Sequence, residues 1–264
     1  MLELNKIYNE NCTDTMARMP DNFIDLVVTS PPYDNLRDYK GYIFDFESIA
    51  KELYRVTKKG GVVVWVVGDA TIKGSETGTS FKQALFFKEI GFNLHDTMIY
   101  AKNNPIPLTH NRYEQSFEYM FIFSKGKPKT FNSIKEVCKM AGKINRGTMR
   151  NSATDDLMIK HGHGLPCKED KIKSNIWFYS VGSMVSKEKE SFKHPAIFPE
   201  QLVTDHIFSW SNENDLIYDP FMGSGTTAKC CILLNRHFIG SEISEEYCTI
   251  ANNRILCTST KSLM

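Results

Sequence analysis

Apolar residues fall into two regular rhythms along this chain, separated by a stretch with neither. From about Ile7 to Lys125, short β-branched runs alternate with segments of helical spacing. Ile24-Asp25-Leu26-Val27-Val28 reads as a strand that enters a proline loop. Phe46, Ile49, Ala50, Leu53 and Val56 share one helical face, and Lys58-Lys59-Gly60-Gly61 follows as a basic last turn and glycine stop. Val62 to Val67 is continuously apolar, the pattern of a strand buried on both faces of a parallel sheet. A helix is predicted over Phe81 to Ile90, and strands over His95 to Ala101 and Phe117 to Ser124.

From Lys125 to Phe192 the rhythm fails, and the only firm apolar run is Asn175-Ile176-Trp177-Phe178-Tyr179. This polar stretch reads as an insertion. Order returns at Glu200 to Trp210, an amphipathic helix. A strand at Leu216 to Asp219, a glycine turn, a helix at Thr226 to Leu234, a strand at His237 to Gly240 and a helix at Glu245 to Leu256 complete the chain. Strands and helices in alternation predict an α/β fold with a mostly parallel twisted sheet. Trp65, Phe86, Phe87, Phe121 and Phe123 are expected in its core.

Composition narrows the class. The 264 residues are 41% hydrophobic and 24% charged, ordinary for a globular protein. No apolar run reaches the roughly 18 residues of a membrane span. No basic stretch with an apolar core opens the chain, so the expected location is the cytoplasm. Seven cysteines without a CxxC spacing do not form a disulfide framework. Cys138, His161, His163 and Cys167 fit no common zinc spacing, so no metal is expected. Net charge is +1, yet Lys125 to Lys193 holds fifteen Lys/Arg against seven Asp/Glu, leaving the remainder at −7. Such a segment suits a polyanion, although a solvated lysine-rich surface has the same composition.

Two loops carry candidate chemistry. Asp219-Pro220-Phe221-Met222-Gly223-Ser224-Gly225-Thr226-Thr227 lies between a predicted strand and helix. Alone, such a turn is more often structural. Ala228 replaces the third glycine of a dinucleotide pattern and no phosphate-loop lysine is present. Glu242, however, stands seventeen residues after Gly225 at the next strand's end, where an acid accepts from ribose hydroxyls. Together they point to a nucleoside-containing cofactor. In Thr29-Ser30-Pro31-Pro32-Tyr33, the prolines remove backbone donors and leave oriented acceptors beside a flat ring, a fitting seat for an aromatic amino group. The bland alternative is a rigid loop with an exposed aromatic.

The two loops in this order, flanking a basic insertion, resemble the β-class amino-methyltransferases of DNA, the N4-cytosine and N6-adenine enzymes of restriction–modification systems. The resemblance covers nearly the whole chain. It implies a methyltransferase fold of Rossmann-like type that uses S-adenosylmethionine, with residues 1–124 as the base-binding half. Residues 125–192 become an inserted target-recognition region and 193–264 the cofactor-binding half. By the same resemblance Ser30, Pro31, Pro32 and Tyr33 are catalytic: they accept the amino group and stack on the base. The cofactor falls to Asp219, Pro220, Phe221, Gly223, Ser224, Gly225, Thr226 and Glu242. Asn11 and Cys12, and Lys193-His194-Pro195 with Phe198, join them. Arg112 and Tyr113 fall where the family contacts the flipped base, and Lys125, Lys127, Lys129, Lys143, Arg146 and Arg150 are basic candidates for DNA.

The implied reaction is direct attack by the amino nitrogen on the sulfonium methyl, after base flipping. The one Pro-Cys pair, Pro166-Cys167, lies in the insertion and is not read as a carbon-5 nucleophile. Family members with Ser at the first motif position are mostly N4-cytosine enzymes; N6-adenine stays open. Duplex DNA is the implied partner, with a cognate restriction endonuclease and a monomeric or homodimeric state as further expectations. An RNA, small-molecule or protein methyltransferase, and an inactive DNA-binding module, are the rivals.

Overall fold

The computed structural model describes residues 2–32, 44–105, 111–180 and 198–262. The chain divides into a larger unit, Met1–Asn132 with Asn175–Met264, and a smaller one, Ser133–Ser174. In chain order the larger unit opens with β1 (Lys6–Tyr8), α1 (Cys12–Ala17), β2 (Ile24–Thr29), α2 (Phe46–Val56) and β3 (Thr57–Val67). A small hairpin of β4 (Thr71–Ile72) and β5 (Ser75–Glu76) precedes α3 (Thr79–Glu89), β6 (Asn93–Lys102) and β7 (Phe117–Ser124). The smaller unit holds β8 (Lys135–Val137), β9 (Thr148–Arg150), β10 (Leu157–Ile159) and β11 (Asp170–Ile172). The larger unit then resumes with β12 (Ile176–Tyr179), α4 (Glu200–Trp210), β13 (Leu216–Asp219), α5 (Thr226–Leu233), β14 (His237–Ser241) and α6 (Glu245–Ser262).

One eight-stranded sheet runs through the larger unit in the order β1-β14-β13-β2-β3-β7-β6-β12. Only β7 opposes the rest, pairing antiparallel with β3 and β6. The Val62–Val67 run is buried as expected, but a parallel neighbour lies on one side and an antiparallel one on the other. Trp65, Phe87, Phe121 and Phe123 fill one side of the sheet, where Trp65 Nε1 donates to Gln83 Oε1 at 2.8 Å. β13 leads through α5 to β14 on one side and β2 leads through α2 to β3 on the other. The chain therefore departs in opposite directions between β13 and β2, which opens a crevice at their carboxyl ends.

Two expectations change. Lys58–Gly61 does not end α2: the helix stops at Val56, where Thr57 donates from N and Oγ1 to Leu53 O, and Lys58–Gly61 already belongs to β3. The cation at this helix end is Lys125, whose ammonium donates to the carbonyls of Tyr54 (2.7 Å), Arg55 (3.3 Å) and Thr57 (2.9 Å). It arrives there because β7 runs backwards and delivers its end to the start of β3.

The smaller unit is also narrower than residues 125–192. Lys125–Asn132 packs on the larger unit, where Asn132 Nδ2 donates to Phe208 O (3.0 Å) and Ser211 O (3.1 Å). Ile176–Tyr179 is an edge strand of the main sheet, parallel to β6. Within the smaller unit β8 pairs with β11 and β9 with β10, and backbone bonds such as Gly142 N to Cys167 O (3.0 Å) and Asn145 N to Leu165 O (2.8 Å) continue the ladder between them. The result is a two-stranded ribbon whose Val137, Leu157, Ile159 and Leu165 are all exposed. Among the described residues no helix is long and apolar enough to cross a membrane.

Candidate active site

Asp219, the last residue of β13, organises the glycine turn from behind. Its carboxylate is buried and accepts three hydrogen bonds: Thr29 Oγ1 at 2.7 Å, Thr227 Oγ1 at 2.6 Å and Phe221 N at 3.0 Å. Burial pushes its pKa up, against the opposing pull of these three donors. Because Thr29 ends β2, this one carboxylate ties the proline loop to the glycine turn across the crevice. Gly223 and Gly225 hold φ of 52° and 82°, the left-handed region that glycine enters without a Cβ penalty. Gly225 caps α5 with no side-chain partner, so the helix presents its first N–H groups and the positive end of its dipole at the turn.

Glu242 follows β14 at the same edge. Gly223 N donates to its Oε2 (2.9 Å) and Ser244 N to its Oε1 (2.8 Å), with Ile243 N nearby. Three backbone donors on four lone-pair sites leave acceptor capacity for a hydroxyl. Burial raises this carboxyl's pKa, with its backbone donors pulling the other way. Asn9 Nδ2 donates to Glu242 O (2.9 Å) and joins the loop after β1 to this strand end. Asn11 caps α1, its side chain accepting from Thr13 N at 3.0 Å. Glycines at positive φ, an uncapped helix start and a carboxylate with spare acceptors form a donor set that suits the methionine and ribose parts of S-adenosylmethionine.

Several sequence candidates make contacts within the protein. Cys12 is buried in the core, and its carbonyl accepts from Tyr218 OH at 3.3 Å. The hydroxyls of Ser224 and Thr226 are buried against Arg254, at 3.0 and 3.3 Å. Pro31 and Pro220 are buried, Ser30, Pro32 and Phe198 half-buried, and Phe221 lies edge-on to Phe44 with centroids 5.7 Å apart. Tyr33, Lys193, His194 and Pro195 lie outside the described residues.

Arg112 stands at the carboxyl edge and pairs with Glu76 (3.5 Å) and Gly74 O on the β4–β5 hairpin, beside a fully exposed Tyr113. Lys125, Lys127 and Lys129 do not join this group. They sit at the opposite edge, where Lys129 N donates to Gly60 O (2.9 Å) and the Lys125 ammonium caps α2. Lys143, Arg146 and Arg150 are exposed on the ribbon, Arg150 beside Asp155 at 3.1 Å.

Sequence reading missed the groups that hold these loops. Asp69, after β3, accepts from Ser80 N (2.9 Å), Ser80 Oγ (2.5 Å) and Thr77 Oγ1 (3.2 Å) and fixes the start of α3. A buried chain runs from Tyr218 OH to Ser241 Oγ (2.8 Å), Thr15 Oγ1 (2.9 Å) and Glu10 Oε1 (2.6 Å) and pins α1 beside the Glu242 strand. Nothing local marks these residues, because their partners lie up to 226 positions away.

The family model described as DNA methylase matches residues 24–253. The sequence is 59% identical over 239 residues to the orphan methyltransferase M.BamHII of Bacillus amyloliquefaciens, 89% of each chain. The fold is similar to that of the cytosine-N4-specific PvuII DNA methyltransferase, with a TM-score of 0.69 at 22% identity across 94% of this chain and 85% of that one. It is similar as well to M1.HpyAVI in complex with S-adenosylmethionine, with a TM-score of 0.60 at 24% identity across 95% and 98%.

Proposed function

The chain belongs to the N6/N4-type DNA methylase family, and from that premise we propose that it methylates N4 of a cytosine held by the Ser30–Tyr33 loop. It is an S-adenosylmethionine-dependent DNA methyltransferase. The observation that carries the site assignment is the 2.7 Å hydrogen bond from Thr29 to Asp219, which sets the proline loop beside the glycine turn at the crevice of the sheet.

When bound, S-adenosylmethionine supplies an electrophilic methyl on a sulfonium. Gly223, Gly225 and the start of α5 would hold its methionine part, and Glu242 would accept from its ribose. Ser30 Oγ and the Pro31 carbonyl would accept the two amino hydrogens of the extruded base, while Tyr33 would stack on its ring. Holding both hydrogens turns the nitrogen lone pair towards the methyl. Catalysis is then positioning and electrostatics, with no covalent enzyme intermediate. Methyl transfer would leave the carbon–sulfur bond pair on sulfur, giving S-adenosylhomocysteine, and a cationic amino nitrogen, whose excess proton Ser30 Oγ would accept while passing its own hydroxyl proton to solvent.

Cytosine is favoured by Ser30, a neutral residue at the motif's first position; N6 of adenine is the alternative. Exposed lysines and arginines of the ribbon are proposed to meet the DNA backbone, and a two-stranded ribbon is narrow enough to enter a major groove. Pairing of two copies and a cognate endonuclease belong to the same proposal. Purified protein incubated with labelled S-adenosylmethionine and mixed-sequence duplex, followed by nucleoside mass spectrometry, tests it. N4-methylcytosine supports the proposal, N6-methyladenine replaces the base, and label in RNA but not in DNA overturns it.

A further inference from the structure

Arg254 lies on α6, only 4% exposed, far in sequence from both loops. Its Nη1 donates to Ser224 O (2.5 Å), Ser224 Oγ (3.0 Å) and Thr226 Oγ1 (3.3 Å), three acceptors of the glycine turn. Its Nη2 donates to Glu200 Oε1 at 2.9 Å, and Lys229 on α5 donates to both oxygens of the same carboxylate, at 3.0 and 3.1 Å. One turn earlier on α6, Ala251 limits the space at Gly225, where an added Cβ would meet Ala251 Cβ at 2.8 Å. α6 therefore grips the turn twice, once by shape and once by charge.

Both cations reach the Glu200 carboxylate, itself about a quarter exposed. A buried ion cluster is a poor device for stability alone, since desolvation offsets much of the attraction. What it does accomplish is geometric. Holding Ser224 O inward fixes the Ser224–Gly225 peptide plane, and the Gly225 N–H on its other side closes the turn on Met222 O at 3.0 Å. Glu200 opens α4, directly after Phe198 and Pro199, so the same guanidinium fork also ties the head of that helix to the turn. A planar fork reaches a carbonyl, two hydroxyls and a carboxylate together, which an ammonium cannot.

We propose that Arg254 is a positioning residue for the cofactor, which holds the Ser224–Thr226 turn and the Glu200 helix start at a fixed spacing. This rests on the reading of the turn as the S-adenosylmethionine seat. The test compares full-length wild type, Arg254→Met and Arg254→Lys. Calorimetry gives the Kd for S-adenosylhomocysteine, thermal melting gives the stability of the ligand-free protein, and DNA methylation kinetics separate KM from kcat. Arg254→Met should raise both Kd and the cofactor KM roughly tenfold or more, the scale of losing charged hydrogen bonds, while kcat stays within a few-fold. Arg254→Lys should recover only part of the affinity.

A folded Arg254→Met with a lower melting temperature but unchanged Kd and KM overturns the proposal. Should that variant not fold, Glu200→Gln, which weakens the same junction, must raise Kd severalfold; unchanged Kd there overturns it equally. Wild type that binds no S-adenosylhomocysteine overturns the cofactor reading beneath it, an outcome distinct from the first two.

Discussion

Asp219 shows what a single buried carboxylate does in this site. Replacing it by alanine leaves the Phe221 N–H and two threonine hydroxyls without their shared acceptor. Asp219→Ala should cost about 3 kcal/mol in urea unfolding. Asp219→Asn should cost about 1 kcal/mol, because Thr227 can reverse its hydrogen bond and accept from the new amide while the retained oxygen still serves Phe221 N and Thr29. Equal losses in the two would contradict this division of labour. Glu242 governs a pH effect. On the proposed reading its carboxylate form accepts from the ribose, and burial raises its pKa above the ordinary value. Cofactor affinity should be full above that raised pKa and fall as pH is lowered through it, earlier than a solvent-exposed carboxyl would allow. Titrating the Kd for S-adenosylhomocysteine against pH checks the sign, and Glu242→Gln should flatten the curve. For folding the sign is opposite: between the ordinary and raised values the folded state holds more protons, so this group's contribution to stability declines as pH rises.

Element packing explains why the glycine turn tolerates so little. Gly225→Ala adds left-handed strain of roughly 1 kcal/mol to the clash with Ala251. The pair Gly225→Ala/Ala251→Gly should be no less stable than Gly225→Ala alone, although glycine in a helix costs about 1 kcal/mol by itself. A simple sum of the two losses in chemical denaturation would show that α6 does not confine the turn. At the other end of the sheet, the ammonium of Lys125 serves the α2 carbonyls, and burial lowers its pKa. Lys125→Met should lower stability by about 1 kcal/mol and leave DNA affinity, measured by fluorescence anisotropy, unchanged.

For the whole molecule, the distribution of charge matters more than its sum. The net +1 hides nine Lys/Arg against five Asp/Glu in Ser133–Ser174. That ribbon has no buried apolar side chain, and most of its large apolar side chains stand exposed. Asn132 and Asn175, the residues of the larger unit that flank it in sequence, both stand at the sheet edge opposite the glycine turn. Joint neutralisation by Lys143→Gln, Arg146→Gln and Arg150→Gln should weaken DNA binding and reduce the slope of log affinity against log salt by roughly 0.9 for each phosphate left without its cation. Affinity for S-adenosylhomocysteine should not change. An unaltered salt slope would assign DNA binding to the carboxyl-edge loops around Arg112 instead.

Local pattern alone determined the strands and helices around the site: α4 and β7 match their expected limits to the residue, and the β2 and β13 strand ends stand where their apolar runs stop. It also determined the order of the two loops, since turn residues and strand ends are properties of neighbours along the chain. Tertiary structure decided everything that depends on residues far apart meeting. Thr29 reaches Asp219 across 190 positions, Arg254 reaches Glu200 across 54, and Lys125 caps a helix 70 residues before it. The reversed direction of β7 sent three lysines away from the carboxyl edge of the sheet, and no local preference encodes a strand's direction within a sheet. Whether a polar side chain binds a ligand or holds a loop is settled by what packs against it, and that neighbour is chosen by the fold.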